Sequence, residues 1–167
     1  MRYTSMKNFL LGLSVLMITL TSSFKVQAQN ITISGDGITL LAITKGMFAD
    51  MKQAVVMAKA HDEKVHRYSG VTIANLLIKA GVILGDSAKK HTVTSYIIVT
   101  AADDYKAIYT LAEIDPLFGN RVIIVADRQD KKALPVQDGP FQIIVPGERK
   151  HGRWIRQVTG IEVVQVK

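Results

Sequence analysis

Apolar and polar positions along this chain alternate in short runs, and only a few stretches carry helical spacing. Ile31 to Ser34 and Ile38 to Ile43 flank Gly35-Asp36-Gly37, which predicts an opening hairpin. Met47, Phe48 and Met51 share one face at spacings of three and four, predicting a short helical turn over 45–51. Gln53 to Ala60 reads as a strand, His61-Asp62-Glu63-Lys64 as a turn, and Val65 to Tyr68 as the return strand of a second hairpin. Ile73, Leu76, Leu77 and Ala80 fall on one helical face, with Thr72 as N-cap and Gly81 as the C-terminal stop. Gly85 to His91 reads as a polar connection. Ser95 to Ala101, the Asp103-Asp104 turn and Tyr105 to Thr110 predict a third hairpin, which carries Tyr96, Tyr105 and Tyr109. Leu111 to Ile114 is a short helical piece halted by Asp115-Pro116. Val122 to Ala126 is a continuous apolar run of the buried type, and Asp127 to Asp130 a polar turn.

The last stretch is the most patterned. Asp138-Gly139-Pro140 is turn chemistry, and Phe141 to Val145 is a strand-length run that Pro146-Gly147 stops. Arg149, Lys150, His151 and Arg153 then crowd into one loop ahead of Trp154, the single tryptophan, and Ile155 to Val166 reads as a closing strand. A cationic loop is thus held between two buried strands. No repeat, low-complexity tract or linker interrupts the chain. The pattern is that of one α+β domain with many short strands and two or three short helices.

Ahead of that domain, Arg2 and Lys7 precede an apolar core from Phe9 to Leu20, followed by polar Thr21 to Ser23 and Val26-Gln27-Ala28. This is the pattern of a signal peptide over 1–28, cleaved before a domain at 29–167. Its core is shorter than the ~20 residues a membrane span requires, so no span is expected after cleavage. Of 167 residues, removal of 28 leaves 139, enough for one domain with its own core. Loss of Arg2, Lys7 and Lys25 takes the formal net charge from +7 to +4. The expected location is periplasmic or secreted, where nucleic acid is not a partner and a mild positive excess suits an anionic small molecule. An exported partner protein fits the same setting. Cysteine is absent, which removes disulfides, thiolate metal ligands, cysteine nucleophiles and lipid attachment together.

Gly139-Pro140-Phe141, Val145-Pro146-Gly147 and Arg153-Trp154, in that order before a closing strand, resemble the end of the oxidoreductase molybdopterin-binding domain of the sulfite oxidase family. Tyr68-Ser69-Gly70-Val71 before the Leu76-Leu77 helix is similar to a second family segment. Asp104-Tyr105 stands where the family has Asp-Gly-Tyr, so the resemblance runs from Ile31 to Val166. It implies that family's fold. The family's enzymes hold molybdenum through one cysteine thiolate, a fitting soft ligand, which by order of elements falls near Met57 to Ala60. No cysteine stands there. The resemblance therefore implies a relative without the metal ligand, whose remaining cofactor is a molybdopterin-like pterin. Its phosphate can be held by Arg, Lys and backbone N–H groups. Arg153-Trp154 matches the family's Lys-Trp pair and Gly139 a loop glycine. Asp138 and Gln142 replace a His and an Arg, and the 147–153 loop is shorter.

The reading is a binding or accessory module with no catalytic residue and no metal ligand. Arg149, Lys150 and Arg153 face an anion, and Trp154 or Tyr105 packs on its flat part. The cleft lies between the 149–154 loop and the turn after Ala60. Three alternatives stay open: a cationic loop that is only solvated surface with Trp154 in the core, an oxidoreductase keeping its cofactor through the pterin alone, and a protein-interaction scaffold. His61 and His66, with Asp62 and Glu63 between them, show no recognised metal spacing. Asp103-Asp104 and Asp127/Asp130 read as turn carboxylates. No nucleophile elbow, phosphate-cradling glycine loop or His-Glu-x-x-His occurs.

Overall fold

Alternation decides which face of each strand is buried. In β5 (Ser95–Ala101), Ser95, Ile97, Val99 and Ala101 are buried and the residues between them half-exposed, the period of two that one core-facing side requires. In β6 (Lys106–Thr110), Ala107 and Tyr109 face the same way. The computed structural model describes residues 30–166. The segment read as a signal peptide lies outside the described residues.

Two five-stranded sheets share one apolar cluster. The first runs β2 (Leu41–Ile43), β1 (Ile31–Gly35), β10 (Val158–Gln165), β5, β6. Its pairs are antiparallel except β1 with β10, which lie parallel with Ile33 opposite Ile161. The second runs β3 (Ala54–Lys59), β4 (Val65–Thr72), β7 (Ile124–Gln129). The far edge of β7 is shared by β8 (Lys132–Ala133) and β9 (Gln142–Ile144), all antiparallel.

Among the described residues, four short α-helices connect the strands. Thr44 caps α1 (Lys45–Asp50), its Oγ accepting from Met47 N–H, and Phe48 packs on Phe141 with ring centroids 4.8 Å apart. Thr72 caps α2 (Ile73–Lys79) through Asn75 N–H at 3.1 Å, as its position in the sequence implied. After a 3-10 turn at Asp86–Ala88 comes α3 (Lys89–Val93). A reciprocal Thr110/Glu113 capping box starts α4 (Leu111–Ile114). Among the described residues no helix is long and apolar enough to cross a membrane.

Three expectations need correction. The polar connection over Gly85 to His91 is largely helical. Asp115, itself buried, organises it by accepting from Gly85 N–H at 2.7 Å and from Leu117 N–H at 2.9 Å, with Thr92 Oγ at 3.5 Å. A carboxylate 30 residues away fixes the start of that segment, which local propensity does not report. The turn expected at Asp127 to Asp130 begins later. β7 continues to Gln129 because its far end still pairs with β4, where Ser69 and Tyr68 sit opposite Arg128 and Gln129. Asp130 and Lys131 take the positive-φ positions instead. Val122, expected inside that strand, lies before it and is exposed.

The β3–β4 hairpin is tied to the β7–β8 turn by His66. Its Nδ1 lies 2.6 Å from Asp130 and its Nε2 3.0 Å from Asp62, while Asp130 also accepts from Arg67 N–H at 3.0 Å. Hydrogen bonds to Asp130 and then Asp62 raise the His66 pKa above its ordinary 6.5. The same bonds hold both carboxylates below their usual range. With the folded pKa raised, the His66 contribution to stability is complete below pH ~6.5 and is lost as pH rises through the folded value. The two aspartates act oppositely, losing theirs as pH falls below the carboxylate range. Thermal melts from about pH 6 to 9 should therefore fall more steeply in the wild type than in His66→Gln. Parallel curves would remove the linkage.

Candidate functional site

Gly147, at φ +81, reverses the chain after β9 and starts the cationic loop. A 3-10 turn at His151–Arg153 ends it and delivers Trp154 into the core. The indole Nε1 donates to Val145 C=O at 3.1 Å, Tyr68 meets the ring edge-on at 5.8 Å, and the His151 ring lies at 4.3 Å. Trp154 is thus a core residue with its polar end satisfied, and a neighbouring imidazole covers it on the cleft side. Trp154→Phe would strand the Val145 carbonyl and should cost about 1–3 kcal/mol, read as a lower urea midpoint with an unchanged slope.

A cleft of about 510 Å³ opens beside this stack, between the loop, the turn after Ala60 and the β5–β6 hairpin. Its walls include His61, Tyr105, His151, Trp154 and Arg156. Tyr105 is 54% exposed and donates its hydroxyl to Gly152 C=O at 2.8 Å, so the ring is held while its face stays open. His61 meets His151 edge-on, ring centroids 4.4 Å apart. Arg156 lies at the wall with its Nε 2.9 Å from Asp138 Oδ1. That contact is ionic and not aligned as a hydrogen bond.

The sequence-derived residues divide three ways. Tyr105 and Trp154 are brought together on the cleft. The Arg149 and Lys150 side chains are exposed just ahead of His151, outside the cleft's lining, and make no hydrogen bond or ion pair among the described residues. Arg153 is already engaged. Its Nε donates to Glu148 at 2.9 Å and its Nη1 to Glu113 at 3.0 Å, and the guanidinium lies 4.8 Å from the Tyr109 ring centroid. Burial works to lower the Arg153 pKa, but the bonds to Glu113 and Glu148 prevail and hold it above its ordinary value. The Tyr109 hydroxyl donates to the Arg153 carbonyl, and burial pushes that phenol far up. Side chain and backbone of Arg153 are therefore both fixed by protein groups.

His61, His151 and Arg156 line the cleft but are not assigned to it from the sequence, where His61 is weighed only with His66 for a metal and His151 only as part of the cationic loop. Only the expected position of the cleft pointed toward them, because His61 and His151 are far apart in the chain and share no motif spacing.

The metal-holding half of a molybdopterin site does not fit these residues. Over Met57 to Ala60, Met57 and Lys59 point outward from β3, Ala58 is buried, and none carries a thiolate. Among the described residues no three His, Asp or Glu side chains gather in a metal-holding group. What the cleft offers is an open phenol face, paired imidazoles and nearby cations.

No family model matches the sequence, and no curated protein does either. Among solved structures, the chain is similar to the sulfane dehydrogenase SoxCD from Paracoccus pantotrophus, with a TM-score of 0.64 at 15% identity. The match covers 81% of this chain and 38% of that one, so this chain spans well under half of that protein's length. The likeness is one of fold: a mixed α+β architecture of the sulfite oxidase molybdopterin-binding type.

Proposed function

We propose that this chain is an exported, non-catalytic binding module that takes a flat, anionic, pterin-like small molecule into the cleft beside Trp154. The observation that carries the reading is the open cleft itself, about 510 Å³ and walled by Tyr105 and the imidazoles, in a chain that has no thiolate for a metal. Tyr105 supplies a flat surface at little entropic cost, since its hydroxyl is already held. Arg149 and Lys150 meet no carboxylate among the described residues; they precede His151 on the loop that walls the cleft, and from there they draw the anionic end of the ligand. Arg153 shapes the loop and does not touch the ligand, because Glu113 and Glu148 satisfy its guanidinium.

Calorimetric titration with 6-carboxypterin tests this. A saturable exotherm at micromolar concentrations is expected, weakened about tenfold by Tyr105→Ala, equivalent to about 1.4 kcal/mol, and weakened again by the Arg149→Ala/Lys150→Ala pair. No heat at millimolar ligand, or equal binding by all variants, would remove the reading.

A further inference from the structure

Four histidines are present, and the structure sorts them by whether their nitrogens are in use. His66 is bracketed by Asp62 and Asp130, and His91 Nδ1 meets Gln165 Nε2 at 2.8 Å. His61 and His151 differ. Their rings touch each other and make no hydrogen bond among the described residues. One sits on the β3–β4 turn and the other on the 147–153 loop, and both line the cleft.

We infer that His61 and His151 form a two-imidazole site for a borderline divalent cation, copper(II) first in affinity. Imidazole nitrogen suits copper, nickel and zinc, and at a given nitrogen site copper(II) binds tightest of the divalent first-row ions. The rings belong to different segments, so each can turn to aim a nitrogen at a shared ion with little backbone movement. The nearby carboxylates are otherwise engaged: Glu63 pairs with Lys59, and Asp103 Oδ1 accepts from Tyr105 N–H at 3.1 Å. The protein thus contributes two ligands, and the remaining positions stay open to water or to a donor atom of a bound molecule. The metal alone suffices for binding, so this site does not depend on the small-molecule reading.

Trp154 supplies the readout, since it is the single tryptophan and its ring lies 4.3 Å from that of His151. Copper(II) added to the untagged full chain should quench its emission saturably at micromolar metal, with nickel and zinc competing more weakly. His61→Ala and His151→Ala should each raise the midpoint about tenfold or more, whereas His91→Ala should leave it in place. Removing His151 also uncovers Trp154, so electron paramagnetic resonance gives the independent measurement. Nitrogen couplings from two imidazoles are expected in the wild type and from one in His61→Ala. An unchanged midpoint in the double variant, a wild-type spectrum without two imidazole nitrogens, or no quenching below millimolar copper would overturn the inference.

Discussion

Gly70→Ala should be among the most damaging single substitutions in this protein, costing at least about 4 kcal/mol, the range reserved for severe backbone or core defects. A Cβ on Gly70 would lie 2.0 Å from the Val125 carbonyl oxygen and 2.6 Å from Ala126 Cα. Both are backbone atoms of β7, so no rotamer change relieves the clash. β4 would have to separate from β7 at the point where the register shifts between Ser69 and Gly70. Those strands form the middle of the second sheet, with β3 beyond one and β8 and β9 beyond the other. Domains of this size are stable by only about 5–15 kcal/mol, so much of the protein should be lost to the unfolded state. Urea denaturation followed by Trp154 emission measures it. Gly119→Ala is the control, because a methyl there would meet nothing within 4 Å beyond its own chain neighbours. Its shift should stay within about 0.5 kcal/mol.

Arg153→Met is expected to cost about 2–4 kcal/mol, a little below the 3–5 of a fully buried broken pair, because the Arg153 side chain is 32% exposed. It would leave Glu113 and Glu148 facing each other without their shared cation. Glu148 Oε2 is already buried without a hydrogen-bond partner, and Arg121, 3.9 Å from Glu113, is too distant to replace the lost fork. Adding Glu148→Gln to Arg153→Met should recover part of the loss, with a coupling of about 0.5–3 kcal/mol in the double-mutant cycle. The substitution also separates two roles. If Arg153 shapes the loop, stability falls first and ligand affinity follows only through the loop. If it instead gripped the anion, affinity would fall while the urea midpoint stayed.

Much of this architecture was legible in the residues because its signals are local. The cap at Thr72, the hairpin turns at Gly35 to Gly37 and Asp103-Asp104, and the halt at Asp115-Pro116 each arise within a few positions. Periodicity tells which face of a strand is buried, but not which strand lies beside it. The parallel pairing of β1 with β10 joins the two ends of the domain and has no local signature. α3 escaped notice for a related reason, since its approach is fixed by Asp115 from another segment.

The candidate site divides along the same line. Its position between the basic loop and the turn after Ala60 followed from the order of elements, and Tyr105 and Trp154 do meet there. The partners of the cations could not be read in that way. Arg153 meets Glu113 across 40 positions, whereas neighbouring Arg149 and Lys150 meet no carboxylate among the described residues, although the three look alike in a charged run. The contact of His61 with His151 likewise depends on how two loops close over one wall.

The most direct measurement is a crystal structure of the full chain grown with 6-carboxypterin. The expected result is planar density in the cleft against the Tyr105 ring, with the carboxylate toward Arg149 and Lys150 and the Arg153 contacts to Glu113 and Glu148 unchanged. Side chains filling that space, or the pterin bound at another face, would contradict it.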